Sequence, residues 1–363
     1  MICPRKILAL GLLAALAVTL SQAAPSMPRR SPQAQQQQPP PPPPPQAPAT
    51  DDPRGVIRAR VDLVVVPVTV KDASGELVPD LRDDEFRVLE DGVEQKIAFF
   101  SVDPFPLSAV VLLDDGLKAK TSERVKQTLI TISAAFGETD EVAVGRFDAY
   151  YTPVLDFTTD NDKLINALKS VDLGNQNILP NTSATGPLPP NPSAGDQRAP
   201  GAVPTNNPFK TTNTKHIDDA LYAAAQLLRT RGRERRKVIV IVSDGTNSRY
   251  NAHTHDEAVK LLLSSDISVY SIGLDSAVLL RGTTDLSHYA HTTGGDVYYA
   301  ARESELPNLY AQLSEEARHQ YTLGYISTGT DRGKPYHSIE VRIRRPGLSL
   351  LTRDGYYTNG VRP

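Results

Sequence analysis

Between residues 109 and 317, short runs of aliphatic and β-branched residues alternate with stretches whose apolar positions recur every three or four residues. That alternation constrains the fold more than any other feature of the chain. Residues 109–113, 142–147, 151–157, 238–242, 267–272 and 297–299 read as strands. Between them, helices present Val125, Leu129, Ile132 and Phe136, then Leu164, Leu168 and Val171, then Ile217, Ala220, Leu221, Ala224, Leu227 and Leu228. Thr254 and Glu257 form a capping box for a further helix, and a last one carries Leu306, Tyr310, Leu313 and Ala317. Strand and helix in alternation predict an α/β fold, a doubly wound, mostly parallel sheet with helices on both faces.

The flanks have a different period. Residues 61–66, 68–70, 86–89 and 97–100 alternate or run apolar between turn signals such as Asp91-Gly92, and 320–326, 337–343 and 349–352 do the same at the other end. Each set alone exposes an apolar face, so the two are expected to pair into one small antiparallel β-sandwich. The resulting division is 56–103 for the first strands, 104–317 for the α/β domain, 318–357 for the closing strands and 358–363 for a tail.

Upstream, Arg5 and Lys6 precede an uncharged stretch over 7–20 and then Ser21-Gln22-Ala23-Ala24, which predicts a signal peptide over 1–24 cleaved after Ala23 or Ala24. An uncleaved anchor is the alternative; either places the chain outside the cytoplasm, in the periplasm, secreted or at the cell surface. With cleavage no stable membrane span is expected, and Cys3, the only cysteine, is lost. Residues 25–55 are rich in Pro and Gln and read as a spacer, and 172–214, rich in Pro, Asn, Gly and Thr, as an irregular insert. A formal net charge of -3 over 363 residues argues against nucleic acid as a partner.

In an open α/β sheet, ligands gather beyond the carboxyl ends of the strands where strand order reverses. Two strands end there in Asp114-Asp115-Gly116 and in Ser243-Asp244-Gly245-Thr246. The carboxylates suit a hard cation with oxygen ligands. Equally, each Asp could serve only to shape the turn before its glycine.

Residues 109–114, the strand running into Ser243-Asp244-Gly245, the helix over 216–228 and Thr292-Thr293-Gly294-Gly295 resemble a von Willebrand factor type A (VWA) domain, in that fold's order. Residues 84–92 before it, and Tyr321-Thr322-Leu323-Gly324-Tyr325 with Arg353-Asp354-Gly355-Tyr356 after it, resemble the VWFA-related family abundant in Acidobacteria. The resemblance implies a Rossmann-like VWA fold and a non-enzymatic role in protein binding or adhesion. It also implies a metal-ion-dependent adhesion site (MIDAS), made by Asp-x-Ser-x-Ser on a first loop, a Thr on a second and an Asp on a third.

Carried over, Asp114 matches the first Asp and Asp244 the last, the two metal ligands if a cation is bound. Gly116 and Lys118 stand where the serines belong, and Lys215 falls at the Thr position with Thr214 one residue away. A lysine about 4 Å from one unit of positive charge at an effective dielectric near 20 is opposed by roughly 4 kcal/mol. Lys118 or Lys215 is therefore expected to pair with Asp114 and Asp244 in place of metal, giving a degenerate site with no cofactor. The competing reading keeps Mg2+ or Mn2+, with Asp115 lending a carboxylate, Thr214 slipping into register and an acidic side chain of a protein partner completing the shell.

Other candidates are weaker. His253, His255 and Asp256 open a helix without a third spaced metal ligand. Ser243 lies in no nucleophile elbow, and no Gly-rich phosphate loop follows the first strand. The basic run over 229–237 reads as a solvated helix end. The first expectation is thus an exported binding module. A divalent-metal hydrolase using Asp114, Asp115 and Asp244 and an inert envelope scaffold are the alternatives.

Overall fold

The structure, a computed structural model, describes residues 63–174, 215–328 and 334–358. The segments expected to be signal peptide and spacer, nearly all of the 172–214 insert including Thr214, and residues 359–363 lie outside the described residues.

The chain begins with β1 (Leu63–Lys71), β2 (Phe86–Glu90), β3 (Val93–Gln95) and β4 (Ile97–Ser101). The α/β domain follows: β5 (Leu107–Asp114), α1 (Ala119–Ser133), β6 (Glu141–Phe147), β7 (Tyr151–Thr158) and α2 (Asn161–Ser170). It continues with α3 (Ile217–Leu228), β8 (Arg236–Ser243), α4 (His255–Ser264), β9 (Ile267–Gly273), α5 (Ser276–Leu279), α6 (Asp285–Thr293), β10 (Val297–Tyr299) and α7 (Leu306–Arg318). Closing strands are β11 (Tyr321–Ile326), β12 (Tyr336–Ile343), β13 (Ser349–Thr352) and β14 (Gly355–Tyr357).

The central sheet has the order β10-β9-β8-β5-β6-β7, parallel except for β7. Every residue of β5 is buried, as a strand covered on both faces must be. One face packs Val111, Leu113, Val240 and Val242 under α1, α2 and α7. The other packs Val110, Leu112, Ile239 and Ile241 under α3, α4 and α6. From β5 the chain moves one way to β6 and returns to β8 on the other side, so the order reverses between β5 and β8.

The flanking strands form two four-stranded sheets, β13-β1-β11-β4 and β14-β12-β2-β3, each drawing strands from both ends of the described chain. Val66, Val68, Phe86, Val88, Leu323 and Tyr325 fill the space between them. Residues 63–66 and 68–70, which belong to two expected strands, are parts of one, and residues 61 and 62 lie outside the described residues. Pro67 is tolerated inside β1 because β13 pairs only with Val68–Lys71. The three-residue strands β3 and β14 were too short to leave a period in the sequence.

Buried polar groups join sandwich and α/β domain. Arg236, expected in a solvated basic run, donates to the Gln320 side chain at 2.7 Å, to the Gln320 carbonyl at 2.6 Å and to Thr322 Oγ1 at 3.0 Å. Burial pulls its guanidinium down to about 10. Arg231 of the same run pairs with Glu141, and Arg235 caps the carbonyls of Leu107 and Thr139. Lys71 bridges Asp296 and Glu316, each at 2.6 Å.

Candidate functional site

The reversal between β5 and β8 brings their last residues together, which no local pattern could arrange. Lys215 enters the gap from the segment preceding α3. Its carbonyl accepts from the Ser248 amide at 2.7 Å, the His216 amide donates to the Asp148 carbonyl at 2.8 Å, and the Ile217 amide donates to Asn247 Oδ1 at 3.0 Å. These bonds fix the backbone against the loops after β6 and β8.

Lys215 Nζ then donates to Asp114 Oδ2 at 3.1 Å and to Asp244 Oδ2 at 2.8 Å, with all three side chains buried or nearly so. Ser243 Oγ donates to the same Asp114 Oδ2 at 2.6 Å. The remaining oxygens serve the loops, Asp114 Oδ1 accepting from the Gly116 amide and Asp244 Oδ1 from the Thr246 amide, both at 2.9 Å. The two readings of the acidic residues are therefore not exclusive: one oxygen of each shapes its turn and the other faces the lysine. Burial pushes the Asp114 carboxyl up to about 6, opposed by the Lys215 charge and the Ser243 hydrogen bond and reinforced by Asp244.

Gly116 completes the arrangement. A Cβ there would stand 2.6 Å from Lys215 Cε and 3.0 Å from Asp148 Oδ1. Lys118 is not part of the cluster; it is exposed at the start of α1, on the wall of a neighbouring cleft of about 440 Å3 with Thr121, Arg124, Leu274, Leu279 and Arg302. Asp115 is also turned away, accepting from Arg146 at 2.9 Å and from the Gly174 amide at 2.8 Å. It cannot lend its carboxylate to the Asp114–Asp244 pair without losing both.

A divalent cation on these carboxylates would need the two Oδ2 atoms that the ammonium already holds. The residues as arranged do not fit a magnesium or manganese ion.

A polar layer beside the cluster left no local signal in the sequence. Asn247 donates to Asp218 at 3.0 Å and to Asp285 at 2.8 Å, and the Tyr289 hydroxyl donates to Asp218 at 2.8 Å. Burial holds the Asp218 carboxyl above its usual range. Asp218 carries only the signal of an ordinary first-turn acid. His253 pairs with Asp219 at 2.8 Å and stacks on Tyr222, while His255 stacks on His288, so these histidines pair and pack beside the Thr254 cap.

An open, mostly parallel sheet whose acidic strand ends meet at the reversal, inserted in the chain between the strands of a β-sandwich, defines an α/β domain of the Rossmann-like kind. Residues 203–312 match the von Willebrand factor type A domain, and the chain carries such a domain, a type of module that generally mediates protein–protein interaction. No curated protein matches the chain. Among solved structures, proximal thread matrix protein 1 from the mussel byssus is 14% identical, with a TM-score of 0.40 over 59% of this chain and 49% of that one. The chain thus spans about half the length of that protein, which has also been solved with a zinc-occupied MIDAS motif. The conserved hypothetical protein BatB from Bacteroides thetaiotaomicron is 12% identical, with a TM-score of 0.37 over 58% and 99% of the two chains. A von Willebrand factor type A protein from Catenulispora acidiphila is 7% identical, with a TM-score of 0.43 over 83% and 74%.

Proposed function

We propose that this protein is an exported, non-enzymatic binding module that engages a protein partner at the carboxyl edge of its sheet without a bridging metal ion. The observation that carries this reading is the Lys215 ammonium lying between Asp114 and Asp244, at 3.1 and 2.8 Å. It supplies the positive charge that an ion would supply, and it is buried, so it cannot itself bind a partner's carboxylate.

Recognition then falls to the rim around it. Tyr150, Tyr250, Leu279 and Leu280 follow the carboxyl ends of β6, β8 and β9 and are 57–85% exposed, which leaves apolar and aromatic surface at that end of the sheet. Lys118 and Arg302, which line a cleft together with Leu279, add cationic groups. Tyrosine and arginine are the residue types on which binding energy concentrates. Export is supported by the amino-terminal pattern over 1–24. Among the described residues no helix is long and apolar enough to cross a membrane.

The test is calorimetric titration of the chain with magnesium and manganese, alongside a variant carrying Gly116→Ser, Lys118→Ser and Lys215→Thr. The wild type is expected to take neither ion and the variant, with the family's oxygens rebuilt, to gain binding. Binding by the wild type, abolished by Asp244→Ala, would overturn the reading and restore metal-bridged adhesion. Turnover of generic ester or phosphoester substrates would instead support the hydrolase alternative.

A further inference from the structure

A second group of polar side chains lies in the sandwich, with Glu90 and His337 buried and Asp91 exposed beside them. Glu90 closes β2 facing inward, with its side chain 1% exposed. It pairs in register with Ile339, which places it diagonal to His337, buried on the same face of β12. Asp91 begins the turn to β3 in a left-handed conformation, φ 48°, that Asp tolerates better than most residues. His337 Nδ1 stands 2.8 Å from Asp91 Oδ2 and 3.6 Å from Glu90 Oε1, and one ligand atom from each of the three residues lies within 4.8 Å of the others.

A protonated imidazole paired with Asp91 accounts for only part of this. Its Nδ1 proton is directed to Asp91, whose other oxygen accepts from the Ser338 amide and hydroxyl. Glu90 Oε1 accepts from Ser327 Oγ at 2.7 Å and more weakly from the Tyr356 hydroxyl at 3.4 Å. Glu90 Oε2, equally buried, finds no hydrogen-bond partner among the described residues. Burial, the Glu90 charge and a hydrogen-bonding contact with Glu90 push the fully buried Tyr325 hydroxyl up, so this phenol faces Glu90, although the contact is not a well-formed hydrogen bond. Two carboxylates, one of them fully buried, thus face a single imidazole, an excess of negative charge that a further positive group would balance.

We propose that Glu90, Asp91 and His337 form a metal site for a divalent ion of the zinc type. One such ion balances two carboxylates with the imidazole neutral. Imidazole as a ligand selects zinc-like ions over magnesium or calcium. Ligand atoms around tetrahedral zinc lie about 3.3 Å apart, between the two separations measured here from His337. Tyr356, stacked on the His337 ring at 5.3 Å, holds the imidazole in plane.

The experiment is calorimetric titration of the chelator-treated full chain with zinc chloride, for wild type, Glu90→Gln, His337→Ala and Asp244→Ala, each checked by circular dichroism. The wild type is expected to take one zinc with micromolar or tighter affinity. Asp244→Ala should bind unchanged, which separates this site from the sheet edge. Losing a ligand in His337→Ala should weaken binding by at least about a hundredfold, and Glu90→Gln by at least about tenfold, since even second-shell losses cost that much. No uptake by the wild type, or uptake unchanged in Glu90→Gln and in a folded His337→Ala, overturns the proposal. Should His337→Ala fail to fold, the near-isosteric Glu90→Gln decides it alone.

Discussion

Gly116 leaves the space that Lys215 fills: a single Cβ at 116 would stand 2.6 Å from the lysine Cε, within the reach of a side chain already held by two carboxylates. The departures from the family motif at these two positions are thus one feature. A serine hydroxyl and a buried ammonium cannot share the volume.

Gly116→Ala is therefore expected to destabilise the fold by about 1–3 kcal/mol, the usual cost of overpacking. Gly116 is not among the glycines with positive φ, so the cost comes from contact and not from backbone strain. Adding Lys215→Ala should cost less in the Gly116→Ala background than in wild type. Urea denaturation of the four proteins gives the coupling; additive effects would mean that the two residues do not compete for space.

Lys215→Met removes the cation and leaves two buried carboxylates facing each other. Loss of one partner from a buried ion pair costs about 3–5 kcal/mol, and that loss is expected at pH 7. It should shrink near pH 5, where Asp114, already raised to about 6, takes up a proton. Thermal melting of the variant at both pH values checks this, and an equal loss at each would refute it.

Asp114 itself sets a pH dependence whose sign is opposite to that of an ordinary paired carboxylate. Its folded pKa of about 6 exceeds the ordinary 3.8, so the folded protein binds the proton more tightly. The stability from that uptake is complete below 3.8 and is lost as pH rises through 6. Over that window the unfolding free energy of wild type minus that of Asp114→Asn should fall as pH increases. A flat difference would place the Asp114 carboxyl in its usual range.

Arg236 ties the start of β8 to Gln320 and Thr322 at the entry to β11. Arg236→Ala strands those acceptors and is expected to cost about 2–4 kcal/mol. Because the lost bonds join sandwich and α/β domain, limited proteolysis should release the α/β domain from the variant sooner than from wild type. Equal rates with lowered global stability would confine the role of Arg236 to β8.

Much of this architecture was legible because burial imposes a period. Residues 109–113 and 238–242 are apolar throughout because both faces of their strands are covered, and the α3 pattern from Ile217 to Leu228 follows the face that packs on the sheet. Short or shared features escaped: β3 and β14 are too brief for a period, and the basic run over 229–237 looked solvated because nothing local shows that Glu141 and Gln320 meet it. For the site, Asp114 and Asp244 stood out as acids at strand ends. Choosing between Lys118 and Lys215 required the fold, which turns Lys118 outward and Asp115 to Arg146.

The sequence by itself determined the alternation of strands and helices, the two acids on one sheet edge and the absence of the serines a cation would use, since each is written in local residue type and spacing. Only the tertiary structure decided that Lys215 is the residue between those acids, that Ser243 and Gly116 accommodate it, and that Glu90, Asp91 and His337 meet in the sandwich. Those contacts join residues 29 to more than 240 positions apart, and their energies depend on burial and charge that no local pattern contains.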